Sequence, residues 1–168
     1  MTSAAGSRLS EAMSKRIAIV VEHLLYEFFM LNYCFECLTS HSLDVNHNNV
    51  LIESFCLHAR NLIDFFWGKE PASGDRPSAD HFTDKEYPNH RGADPRGKAI
   101  YSKLNTQVAH LSYSRTSDRS KKISHQDRVE LRQLVEPELA IFYAHLREPY
   151  RQALLDAQIA SPFRSVPR

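Results

Sequence analysis

Apolar residues recur at alternating steps of three and four through Met13, Ile17, Val20, Leu24, Phe28, Leu31, Phe35 and Leu38, which places them on one face of a long helix. Ser10 stands where a cap belongs, and Glu11 suits the positive end of the helix. The opposite face changes part-way along, from Glu11, Lys15 and Glu22 to Tyr26, Phe29, Met30, Tyr33 and Cys37. A helix that is apolar on both sides must be covered on both sides, by another helix of the chain or by a second subunit. The reading favours a two-fold homodimer through Tyr26, Phe29, Met30 and Tyr33.

Residues 39–49 are polar and read as the connection and cap into a second helix. Its buried stripe is Leu51, Phe55, Cys56, Ala59, Leu62, Ile63 and Phe66, with Gly68 placed to end it. Residues 69–96, with Gly68 and Gly97 at their borders, hold four of the five glycines and four of the eight prolines, so no long helix or regular strand runs through them. One helical turn over 78–82 is expected to pin this loop, which should lie near Arg60. Asp94 and Pro95 open a third helix with Ile100, Leu104, Val108 and Leu111 as its stripe. A charged connector over 117–124 leads to a fourth helix burying Leu131, Val135, Leu139, Phe142 and Leu146, which Pro137 should kink or break. A short last helix follows Pro149. No stretch alternates like a strand. The pattern predicts an all-α fold, an antiparallel bundle of four main helices with a long loop between the second and third. It forms one domain over 10–156, with tails over 1–9 and 157–168.

Composition narrows the function classes. The chain has 168 residues with 21 basic and 20 acidic side chains, a formal net charge of +1, so no global field draws it to nucleic acid or to anionic membrane. Three cysteines in apolar helical segments suit reduced thiols better than a disulfide framework. Residues 17–31 are the most apolar run, but Glu22, His23 and Glu27 interrupt it, which makes it too short and polar to span a bilayer. A soluble cytoplasmic protein with no membrane partner is expected.

No glycine-rich phosphate loop, nucleophile elbow or dinucleotide fingerprint is present. Two segments concentrate candidate chemistry: LHARNLIDFFW over 57–67 and LNTQVAHLSYSR over 104–115. In the first, Arg60 and Asp64 are spaced for an ion pair on one helix face. Arg60 beside His58 and Asn61 would equally present a planar donor fork to a phosphate. Near the second, Lys103 and His110 share a helix face, with Asn105 on another. Histidine is suited to general acid or base work near neutral pH, and a nearby cation stabilises phosphoryl charge. Arg115, Arg119, Lys121 and Lys122 form a basic cluster that reads as a solvated connector or as a rim tracking a nucleic-acid backbone. Cys34 and Cys37 make a C-x-x-C within a helix, but no second pair follows, so they read as small buried side chains. No metal and no cofactor is expected.

The segments HARNLIDFF and LNTQVAHLSYSR, placed on the second and third helices of such a bundle, resemble the HEPN domains, small helical bundles of prokaryotic defence and toxin systems. The likeness covers roughly residues 10–146 and is closest to uncharacterised bacterial members. Active HEPN members are metal-independent ribonucleases whose motif is an Arg, four to six residues, then a His. His110 matches the His, while gaps of four, five and six residues give Asn105, Leu104 and Lys103 at the Arg position. The resemblance therefore implies an RNA-binding or RNA-cleaving dimer with a degenerate motif. Its catalytic candidates are His110, Lys103, Asn105 and Arg60, and Asn61, Arg115, Arg119, Lys121 and Lys122 would hold nucleic acid. The alternative it implies is a non-catalytic helical interaction module that binds a cognate protein.

Overall fold

The computed structural model of the chain describes residues 3–40, 42–68, 76–88, 95–104 and 122–160. The first long helix runs as α1 (Ser3–Ala18), a π-helical turn (Ile19–His23) and α2 (Leu24–Ser40). The backbone enters and leaves the π turn in helical conformation, at Ala18 and Leu24, so the three pieces are one continuous rod. Its backbone is already helical at Ser3, inside the stretch read from the sequence as a tail. The buried stripe begins later than the spacing predicts: Val20, Leu24, Phe28, Leu31 and Cys34 are buried, whereas Met13 is 39% exposed.

The turn into α3 (Val45–Trp67) is shorter than expected. Asp44 is the cap, its carboxylate accepting from the backbone N–H groups of Asn46 and His47. Of the polar run that reads as loop, Thr39 and Ser40 still belong to α2 and residues 45–49 form the first turn of α3, where asparagine side chains face water at little cost. Among the described residues, α2 and α3 share the most extensive helix–helix interface. Phe55, Cys56, His58, Ala59, Leu62, Ile63, Phe65 and Phe66 are buried along α3, which adds His58 and Phe65 to the predicted stripe. Gly68 ends α3 as predicted, yet its φ of −63° lies in the ordinary region. Glycine is needed there because a Cβ would stand 2.2 Å from the Asp64 carbonyl oxygen.

The described part of the long loop is packed into the core. A 3₁₀ turn (Ala79–His81) forms where one helical turn was predicted. Ala79, Phe82 and Tyr87 are buried, with Phe82 set edge-on to Tyr150 and close to Phe65. The Asp84 N–H donates to the His145 carbonyl and the Arg147 N–H to that of Phe82, and an isolated bridge joins Thr83 to Leu146. The remaining helices are α4 (Pro95–Leu104), α5 (His125–Ala144) and α6 (Tyr150–Ala160). Pro137 does not break α5. Both Pro137 and Gln133, whose carbonyl loses its usual donor, lie on the exposed side, where water satisfies the freed oxygen. Leu131, Val135, Leu139, Phe142 and Leu146 are all buried as predicted.

The fold is thus mostly helical, with no strand among the described residues. By length and composition the stretch Ser10–Ser40 is apolar enough to cross a bilayer, which the shorter window over 17–31 did not reach. In this structure one side of that helix is core.

Candidate functional site

A cavity of about 500 Å³ lies where the π turn and the start of α2 face the second half of α3. Ile19, His23, Leu24 and Glu27 form one wall, Arg60, Asn61, Leu62, Asp64 and Phe65 another, and Arg76 with Pro77 closes a side from the loop. In the π turn the Leu24 N–H donates to the Ile19 carbonyl, five residues back. The extra residue turns the following helix face by about 100° relative to an uninterrupted α-helix. The π turn supplies Ile19 and His23 to the cavity, while Leu24 and Glu27 come from the first turn of α2.

The charged groups of the cavity are only loosely tied to one another. Asp64 Oδ2 lies 3.9 Å from Arg60 Nε and 3.7 Å from Arg76, beyond direct hydrogen-bond length in both cases. Two guanidiniums therefore share one carboxylate, and neither fork is closed on it. Partly exposed pairs of this kind add little stability. Their donors remain available to an oxyanion, for which the planar guanidinium is the best-matched side chain.

Glu27 is held more firmly. The buried His58 ring donates from Nδ1 to Glu27 Oε2 at 2.7 Å, and Tyr26 stands edge-on to the same ring at 5.7 Å. His58 thus acts behind the cavity wall, while Arg60 and Asn61 line it. Asn61 is exposed and Arg60 half-buried, so both reach the opening.

Lys103 stands apart from this cavity. Its ammonium donates to Asp127 Oδ2 at 2.5 Å. Asp127 is also the third residue of the capping box at the start of α5, accepting from the Ser124 N–H while its own N–H donates to Ser124 Oγ. Burial acts to raise the Asp127 carboxyl, but the Lys103 and Ser124 hydrogen bonds outweigh it and hold the group below the ordinary carboxylate value. Lys122 is exposed just before this cap. His110, Asn105, Arg115, Arg119 and Lys121 lie outside the described residues.

The cysteines are free thiols. Cys34 donates to Ser54 Oγ at 3.4 Å, and burial pushes the Cys56 thiol up to about 12. A thiol that stays protonated at neutral pH is a poor nucleophile and a poor metal ligand. Of the residues that the sequence expects at a dimer interface, Tyr26, Phe29 and Tyr33 are exposed, Phe29 and Tyr33 stacking at 6.3 Å. Met30 is half-buried and packs against the core instead.

Four residues escaped the sequence reading. Arg76 is brought to Asp64 by the loop, which no local pattern announces. His23 and Glu27 were visible as polar breaks in an apolar run, four residues apart, but the partner of Glu27 lies 31 residues away. Arg128 is buried, and its Nε has no hydrogen-bond partner among the described residues. Its spacing of three before Leu131 could have placed it on the buried face.

No family model, curated protein or solved structure matches this chain.

Proposed function

We propose that this chain is a HEPN-like RNA-binding protein, an antiparallel helical bundle that works as a homodimer in a defence or toxin–antitoxin setting. The observation that carries the reading is the Arg60–Asn61 cavity, where an open guanidinium fork and an amide meet beside a second arginine. Those are the groups an RNA phosphate needs, and Arg115, Arg119, Lys121 and Lys122 are proposed as a second basic cluster that holds nucleic acid. In the catalytic form of this proposal His110 takes the ribose 2′-hydroxyl proton or protonates the leaving oxygen. Arg60 or Lys103 neutralises phosphate charge, and Asn105 orients the phosphate or the imidazole. The dimer would close through the exposed rings of Tyr26, Phe29 and Tyr33, with Met30 beneath them.

A second reading, the non-catalytic interaction module, is favoured by one contact. Lys103 is the only cation spaced to replace the motif arginine, and its charge is spent on Asp127 at 2.5 Å. The test is a gel-shift and cleavage series on single-stranded RNA with excess chelator. The proposal expects Arg60→Ala to weaken binding by about ten-fold or more, the scale of one charged hydrogen bond. His110→Ala should abolish cleavage without changing binding or fold. Binding without cleavage by the wild-type protein selects the interaction module, and no RNA binding at all removes the RNA reading.

A further inference from the structure

From Ile17 to Ala59 the chain carries five acidic residues and no lysine or arginine, so all 21 cations lie outside this stretch. The pair of helices it builds is acidic, and the outward face of the pair is apolar. Along the first rod Glu22, Tyr26, Phe29, Tyr33 and Glu36 follow at steps of four, three, four and three, and all five are exposed. On α3, Val50 and Leu57 lie seven residues apart, nearly two full turns, and both are exposed. Tyr26 meets the His58 ring edge-on at 5.7 Å, beside Leu57, and Cys34 donates to Ser54 at 3.4 Å, one turn after Val50, so the two rows border one groove. Tyr26, Phe29, Tyr33, Val50 and Leu57 are each more than half exposed, a grouping of the kind that marks a protein interface.

We infer that this groove docks an amphipathic helix of a partner protein, with lysine or arginine at both ends of its apolar stripe. This step rests on the interaction-module reading above. A helix with apolar residues at i, i+3 or i+4 and i+7 lays that stripe into such a groove. Glu22 and Glu36 stand about 21 Å apart along the rod at 1.5 Å per residue, so the matching cations lie about four turns apart. Glu36 keeps one oxygen on Arg132 at 3.3 Å, and its side chain stays 64% exposed. The face repels the phosphates of nucleic acid and of anionic membrane. A second copy is handicapped as well: the row reads acid, three rings, acid in either direction, so parallel and antiparallel pairing both set glutamate against glutamate. The second copy of the proposed dimer uses the same rings, so the two occupants compete, and the basic helix displaces the copy.

The test is isothermal titration of the full-length protein with three synthetic helical peptides: a leucine stripe flanked by lysines, the same stripe flanked by glutamates, and the lysine-flanked peptide with serines in place of the stripe. The inference expects the first to bind about ten-fold tighter than the second at low salt, the gap closing as salt rises, and the third not to bind. Phe29→Ser with Leu57→Ser should abolish binding of the first peptide. Glu22→Gln with Glu36→Gln should erase its advantage over the second while the melting temperature stays near that of wild type. Equal binding of the first two peptides, or binding of the third as tight as the first, overturns the inference. No binding of the first peptide to a protein that light scattering shows to be a dimer gives the face to the second copy and overturns it too. RNA cleavage by the wild-type protein removes the interaction-module reading on separate grounds, and the peptide result then tells whether the groove stands without it.

Discussion

Replacing Lys103 by methionine separates a structural lysine from a catalytic one. Methionine keeps the length and apolar stem of the side chain and deletes only the ammonium that bonds Asp127 at 2.5 Å. The pair is mostly covered, with side-chain exposures of 26% for Lys103 and 18% for Asp127, so it is screened less than a surface pair. Asp127 keeps its bonds with Ser124, which limits the penalty. A charge-assisted hydrogen bond in this setting is worth about 1–2 kcal/mol, or a fall in melting temperature of roughly 2–8 °C for a chain of this size. The folded-state Asp127 carboxyl is depressed, so its contribution is present above the unfolded carboxylate value near 4 and is lost as pH falls through the folded value. Urea unfolding of wild-type and Lys103→Met protein at pH 7 should show the deficit in full, and it should shrink as the pH falls below the unfolded carboxylate value near 4. A deficit that stays the same size as the pH is lowered, or none at pH 7, refutes the structural role. If the variant is as stable as wild type but loses RNA cleavage, Lys103 belongs to the chemistry.

Three further outcomes follow from the packing. Gly68→Ala should cost about 1–3 kcal/mol in chemical denaturation, because its Cβ would stand 2.2 Å from the Asp64 carbonyl oxygen and something must shift. Unchanged stability would mean that the end of α3 relaxes freely. Leu62→Ala removes a fully buried side chain from the middle of α3 and should cost roughly 2–5 kcal/mol by the same measurement; a loss below about 1 kcal/mol would contradict its placement in the core. Phe29→Lys with Tyr33→Lys should convert a dimer to a monomer in size-exclusion chromatography with light scattering, since both rings are more than half exposed on the single chain. A wild-type monomer at tens of micromolar removes the dimer from the account.

Periodicity made most of the helical fold legible. The stripes of α3 and α5 were read nearly residue for residue, because each helix packs one face and carries three to four apolar residues per two turns. The misses share a physical cause: they depend on contacts between residues distant in sequence. The π turn lies inside a run that looks like ordinary helix, and nothing local separates Ile19–His23 from the turns beside it. Tyr87 sits in a stretch without helical periodicity, and its hydroxyl donates to the buried Glu138 at 2.5 Å, 51 residues on. Of the site, Arg60 and Asn61 were legible from their composition within an apolar helix. Arg76 and the His58–Glu27 pair were not, since the loop and the opposite helix bring them there.

The central claim is that the Arg60 guanidinium receives an RNA phosphate inside this cavity, and arginine side-chain NMR tests it most directly. The Nε–H signals of ¹⁵N-labelled protein would be followed while a single-stranded oligoribonucleotide is titrated in. The account predicts that the Arg60 and Arg76 signals move together along one binding curve. Arg132, which is occupied with Glu36 and Glu136 on another part of the surface, should stay in place. RNA binding that shifts other arginines and leaves Arg60 unmoved would contradict the account.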